Sequence, residues 1–108
     1  MTTFVESYPH PFHPVILDEN GYPVADTSRT VEVFQLRNGD QQRLADWAGA
    51  VGYPGVDGGV LLLVGGAPLA PDGGEGPQIR LGDFVVRDGA TVSAVAAEVG
   101  FFQLFTPA

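Results

Sequence analysis

The chain has no cysteine and no lysine. Without cysteine there are no disulfides, no thiolate metal sites and no cysteine nucleophile, which fits a reducing compartment. Without lysine there is no GxxxxGK[ST] phosphate loop, and the glycine clusters around 55–59 and 73–76 do not match GxGxxG either. Positive charge is scarce altogether. Five arginines (Arg29, Arg37, Arg43, Arg80, Arg87) stand against 13 acidic residues, for a formal net charge of −8. Such a surface repels nucleic acid and anionic lipid at long range, so neither direct nucleic-acid binding nor membrane association is expected. Long apolar runs are also missing. The longest, Val60 to Val64, has strand length, against the about 18 residues that a membrane-spanning helix needs. No basic stretch followed by an apolar one opens the chain, so no signal peptide is expected.

What remains is a chain of 108 residues, 44% hydrophobic with 7 Phe, enough for one domain with a single modest core. The acidic excess has two readings. It keeps a small protein soluble, or it imitates a polyanion and docks on a basic partner.

Residues 1–28 read as an arm. Pro9, Pro11, Pro14 and Pro23 interrupt any helix, because proline lacks an amide donor and restricts the residue before it. Val15 to Val24 fits a small hairpin turning at Asn20-Gly21, with Pro23 confining the second strand to a sheet edge. Phe4, Val5, Tyr8, Phe12, Val15, Ile16 and Leu17 nevertheless require burial, on the chain's own domain or on a neighbouring subunit.

The rest of the chain alternates strand and helix signals. Thr30 to Leu36 alternates β-branched or aromatic residues with polar ones and predicts a strand. Asn38 or Asp40 can cap the helix that follows, over about residues 39–51. Its Leu44, Trp47, Ala48 and Val51 fall on one face, with Gly52 suited to the left-handed end and Pro54 forbidding continuation. Val60 to Val64 is apolar without alternation, as in a central strand covered on both faces. Residues 65–77 hold five Gly and three Pro and read as a long loop. Strands are expected at 78–81, 84–87 and 91–95, and Phe101 to Phe105 reads as helix or strand.

Catalytic patterns are sparse. His10 and His13 bracket Pro11-Phe12 near Asp18 and Glu19, but a metal site needs at least three converging ligands. Neither histidine has a serine at a nucleophile elbow. Asp83 and Asp88 stand at opposite ends of one strand, about 13 Å or more apart at strand rise, too far to share a proton. Turn roles suit them better. Asp83 closes a turn through its side-chain oxygen, and Asp88 opens a hairpin. Arg87 can pair with Asp83, Asp88 or Glu98, and Trp47 belongs to the helix's core face.

The most informative stretch is Leu81-Gly82-Asp83-Phe84-Val85-Val86-Arg87-Asp88-Gly89. A Gly-Asp turn feeds a short apolar strand, and Asp88-Gly89 returns the chain into Thr91 to Val95, a strong hairpin signal. Leu81 to Arg87 resembles the hallmark Pro-Gly-Asp-Trp-Ile-Ile-Arg block of a family of small bacteriophage and prophage proteins. Val31 to Leu36, Asn38-Gly39-Asp40 and the helix through Leu44, Ala45, Trp47 and Gly49 resemble that family's opening strand and helix. Glu98-Val99 and Phe102 to Phe105 echo its closing aromatic segment. Leu81 and Phe84 replace the family's Pro and Trp, and its Gly-Glu-Phe-Tyr-Pro run is missing from Gly89 to Ala94. The resemblance implies a phage setting and transfers no catalytic residue.

The expected architecture is α+β: a Pro-rich N-terminal arm (1–28), then a small domain (29–108) with one helix on a mostly antiparallel sheet. The expected function is that of a non-enzymatic, phage-encoded accessory protein. It would bind a host or phage protein through an acidic surface, as an inhibitor of a host defence or nucleic-acid enzyme, in the host bacterial cytoplasm. The alternative is a virion component whose arm reaches a neighbouring subunit. A third reading, a small enzyme, needs a pocket in which two of His10, His13, Asp83, Arg87 and Glu98 converge. No cofactor and no metal are implied. The candidate interface residues are Phe4, Tyr8, Phe12, Asp83, Arg87 and Asp88.

Overall fold

The computed structural model describes residues 9–74 and 76–108, with the side chain of Glu98 left aside; Phe4 and Tyr8 lie outside the described residues. The first strand, β1 (His10–Leu17), turns at Asn20-Gly21 into β2 (Pro23–Ala25), as the sequence predicts. Asp18 makes this turn. Its Oδ1 accepts the amides of Asn20 at 2.8 Å and Tyr22 at 2.9 Å, and Gly21 takes a φ of +82° that suits glycine. β2 is an edge strand, consistent with Pro23.

β1 is not an arm. It pairs antiparallel with β3 (Val31–Gln35) and with the last strand, β9 (Phe105–Pro107). Its prolines remain in the ladder through their carbonyls: Pro11 accepts from the Ala108 amide at 3.1 Å and Pro14 from the Asp26 amide at 2.8 Å. A missing N–H therefore costs the strand a donor and no acceptor. Phe12 is fully buried in the protein's own core, which corrects its expected place at an interface with another chain.

β3 leads into α1 (Gln41–Ala48). Asp40 precedes it without a side-chain cap, its carboxylate going instead to Arg43 at 3.0 Å. The helix ends earlier than expected, at Gly49 and not Gly52. Gly49 has a φ of +67°, its amide bonds Asp46, and the Ala50 amide reaches back to Ala45 at 2.9 Å, a Schellman ending. That early stop frees β4 (Val51–Pro54) to pair with β5 (Val60–Val64), so Val51 sits exposed on a strand and not on the helix face. β6 (Ala67–Pro68), inside the expected loop, completes a three-stranded sheet. β5 is central in it but not covered on both faces: Val60 and Leu62 are buried, while Leu61, Leu63 and Val64 are partly open. Residues 78–81 form no strand and contribute one bridge, Ile79 with Val60.

β7 (Phe84–Asp88) pairs with β3 and with β8 (Thr91–Val95), giving a main sheet in the order β2-β1-β3-β7-β8 with β9 beside β1. The β7–β8 hairpin has Asp88 opposite Thr91, with Gly89 at φ +60° as the first turn residue. The register places Phe34 and Val85 side by side on one face, where the Phe34 ring lies 5.5 Å from Trp47 of α1. On the other face lie Phe12 and Phe84. Phe101 of α2 (Phe101–Leu104) stacks on Phe84 at 3.9 Å and meets Phe12 edge-on at 5.5 Å. The fold is thus α+β, mostly antiparallel, with two short helices.

Asp83 holds this arrangement. It is buried, and its two carboxylate oxygens accept the amides of Arg80 and Ala97, each at 2.9 Å. Its own amide bonds the Arg80 carbonyl at 3.0 Å, closing a turn with Gly82 at φ +94°. Its carbonyl accepts from Leu36 at 2.9 Å. Truncating Asp83 to Ala removes the acceptor of two part-buried amides, those of Arg80 and Ala97. Urea unfolding of D83A should show a loss of about 2–4 kcal/mol, and D83N, which keeps one acceptor oxygen, a smaller loss. Equal stability of all three proteins would show that Asp83 anchors nothing.

Candidate functional site

The residues singled out from the sequence do not converge. Asp83 is the interior anchor just described and cannot contact a partner. Arg87, across β7 from α1, donates through Nη1 to the Trp47 carbonyl at 2.8 Å, and its guanidinium lies 6.0 Å from the indole centroid. It ties the helix to the sheet. Asp88 pairs with Arg29 at 2.6 Å, both side chains about half exposed, a contact of the kind that contributes about 0–1 kcal/mol. His13 donates through Nδ1 to the Arg29 carbonyl at 2.7 Å, which fixes its ring. Among the described residues no group of three His, Asp or Glu is placed to hold a metal. None of the five principal clefts is lined by two of His10, His13, Asp83 and Arg87.

The glycine-rich turn at 55–59 is also accounted for. The Gly55 amide bonds Gly59, the Gly59 amide bonds Val56, and the Val56 amide bonds Gln78 Oε1 at 2.8 Å. A Cβ on Gly59 would stand 2.7 Å from the Ile79 carbonyl oxygen. These amides are spent on the turn itself and on Gln78, and are not presented to an anion. Trp47 keeps its buried Nε1 without a hydrogen-bond partner among the described residues, beside a cleft of 230 Å³ under Arg87.

One cleft gathers polar groups. It has a volume of 410 Å³ and is bordered by Arg29, Asp72, Asp88, Thr91 and Ser93 above an apolar floor that includes Val86. Arg29 and Asp88 are committed to each other, and no histidine lines the cleft to activate either hydroxyl.

Apolar side chains stand exposed elsewhere, on the hairpin that opens the main sheet. The β1–β2 hairpin leaves Ile16, Leu17, Tyr22 and Val24 exposed, Leu17 at 69% and Tyr22 at 67%. Ile16 and Val24 are cross-strand partners and so share a face of the hairpin. Beside them α2 exposes Phe102, at 51%, and Leu104. Val24 and Phe102 both line a groove of 570 Å³, together with Val15, Pro23, Ala25, Gln103 and Thr106. Single exposed apolar residues are ordinary, but several adjoining ones around a groove mark a contact surface.

The turns at the ends of this hairpin carry carboxylates. Residues 9–28 contain Asp18, Glu19 and Asp26 and no arginine. The Ser28 hydroxyl donates to Asp26 Oδ1 at 2.5 Å and the Ser28 amide at 3.2 Å. The hydroxyl bond, aided by that amide and by the nearby Arg29 and His13, outweighs desolvation and holds the Asp26 carboxyl below the usual value. The sequence missed this site because the apolar residues of an edge hairpin look like core residues. Pro23 was the available signal, since it marks an edge whose neighbours are only half covered.

Comparison with protein-family models, with curated proteins and with solved structures finds no match in any of the three. No helix is long and apolar enough to cross a membrane among the described residues.

The Asp26 geometry has a pH consequence. A carboxyl whose folded value is depressed stabilises the fold above its unfolded value, and that contribution is lost as pH falls through the folded value. Ser28→Ala removes the leading cause. An NMR titration of the Asp26 carboxyl carbon should find its midpoint moved upward in S28A, with less sensitivity of the hairpin to acid. An unmoved midpoint would assign the shift to the neighbouring charges instead.

Proposed function

We propose that this protein is a non-enzymatic accessory protein that binds another protein through the β1–β2 hairpin and α2. The single observation that supports this most is the groove lined by Val15, Pro23, Val24, Ala25 and Phe102, on a hairpin that also exposes Ile16, Leu17 and Tyr22. The reading differs from a uniformly acidic contact face. Carboxylates are distributed over the turns and strands of the fold, and several are engaged internally: Asp18 and Asp26 in turns, Asp40 with Arg43, Asp83 with the Arg80 and Ala97 amides, Asp88 with Arg29. Mimicry of a polyanion needs them free and on one side.

The resemblance of Leu81 to Arg87 to the phage block supports a phage or prophage setting, with a host or phage protein as the partner and the host cytoplasm as the place of action. The virion alternative, as an arm reaching a neighbour, loses support from His10 onward, because β1 is bound within its own sheet.

The test compares the wild-type chain with the triple variant I16S/V24S/F102S as bait in the native host, with bound proteins identified by mass spectrometry. A single partner in stoichiometric yield, lost with the variant although its fold is retained by circular dichroism, is the expected result. Retention of that partner by the variant would move the contact elsewhere. Finding the chain stoichiometrically in purified particles would replace the accessory role with the virion role.

A further inference from the structure

We propose that Asn38-Gly39, in the connection from β3 to α1, is a site of spontaneous deamidation through a cyclic imide, and that Gln41 is the residue that restrains it.

The chain has two asparagines, Asn20 and Asn38, and glycine follows both. Asparagine is thermolabile, and a following glycine obstructs the reaction least, because no Cβ shields the attacking amide. The Gly39 nitrogen, giving up its proton, attacks Cγ of Asn38. An N–Cγ bond forms, the Cγ–Nδ2 bond breaks, and Nδ2 leaves as ammonia carrying that proton. Water then opens the five-membered imide at either carbonyl and leaves aspartate or isoaspartate.

The two steps are alike in sequence, and the structure separates them. Both asparagines are exposed. Both glycine amides are bonded, but to different kinds of acceptor. Gly21 donates to the Asp18 main-chain carbonyl at 3.0 Å. That turn is cross-braced: the Asp18 amide bonds the Tyr22 carbonyl at 2.8 Å, and Asp18 Oδ1 takes the amides of Asn20 and Tyr22. Freeing the Gly21 amide means opening the tip of the hairpin. Gly39 instead donates to a side chain, Gln41 Oε1, at 3.0 Å. The turn at 37–40 closes through another amide, that of Asp40, on the Arg37 carbonyl at 3.0 Å. The other end of Gln41 is held by the β4–β5 turn, Nε2 donating to the Gly58 carbonyl at 2.8 Å. Both Gln41 bonds are exposed. Rotation of this one side chain therefore frees the nucleophile while the main chain keeps its turn, and a local opening of that size costs less than breaking a cooperative element. The product changes a surface. Gly39 lines a cleft of 430 Å³ to which no charged side chain contributes, and the reaction sets a carboxylate on the residue before it.

The full-length protein is tested at mildly alkaline pH, which favours loss of the amide proton, with conversion followed by peptide mass spectrometry. Trypsin cuts after Arg29, Arg37 and Arg43, so residues 1–29 report Asn20 and residues 38–43 report Asn38. In the folded protein Asn38 should convert about threefold or more faster than Asn20. In urea, where only the shared Asn-Gly step counts, the two rates should converge. Q41A should accelerate conversion at Asn38 about two- to tenfold, the equivalent of one hydrogen bond, and leave Asn20 unchanged. Q41E, which keeps an acceptor oxygen, should stay near the wild-type rate. Equal rates in the folded protein, faster conversion at Asn20, or no acceleration in Q41A with its circular dichroism intact overturns the assignment. Should Q41A lose its fold, the wild-type comparison of Asn38 with Asn20 still decides.

Discussion

One carboxylate sets the geometry on which the surface depends. Asp83 joins three segments distant in sequence: its oxygens accept from Arg80 and Ala97, and its carbonyl accepts from Leu36. Burying an ion is costly unless its lone pairs are filled, and here two amides fill them at 2.9 Å. The Gln35 side chain adds a bond to the Gly82 carbonyl at 3.1 Å, fastening the same turn to β3. The contact at Ala97 begins the short 3-10 turn that delivers the chain to α2. From there Phe101 stacks on Phe84 and Phe102 is left outward at the groove. The turn that Asp83 closes is thus linked through Ala97 to the short helix whose Phe102 also packs edge-on against Phe84.

This explains what the Leu81 to Arg87 block encodes. Gly82 supplies the positive φ of the turn, Asp83 the anchor, Phe84 to Val86 the buried strand, and Arg87 the tie to α1. From Gly82 to Arg87 every residue of the motif is used in folding, and Leu81 stands exposed. A likeness built on it carries architecture, and the chemistry of contact has to be sought in parts of the chain that the motif does not include.

Elements with local signals were legible: β3 and the β7–β8 hairpin from alternation and Asp88-Gly89, α1 from its apolar face, the β1–β2 turn from Asn20-Gly21. Those decided by tertiary structure were not. β1 looked like an arm because prolines score as breakers, yet the ladder there uses proline carbonyls, which the sequence pattern does not distinguish from lost amides. The end of α1 was misplaced because Gly49 and Gly52 both suit a left-handed ending, and only the pairing of Val51 with Leu63 selects the first. The site was least legible of all. Phe12 and Phe102 are both phenylalanines among apolar neighbours, and one is core while the other lines the groove. What separates them is the register of β1 against β3 and the single turn of α2, neither of which composition records.

The hairpin also shows how exposed apolar residues can stand at a sheet edge without continuing the ladder. An apolar edge invites pairing with any other exposed strand. Pro23 removes a donor from that edge, the strand is short, and Asp18, Glu19 and Asp26 surround it with like charge for any second copy. These features oppose pairing through the backbone while leaving the side chains of the hairpin exposed. An apolar groove without them would be a hazard, and the carboxylates without the groove would only confer solubility.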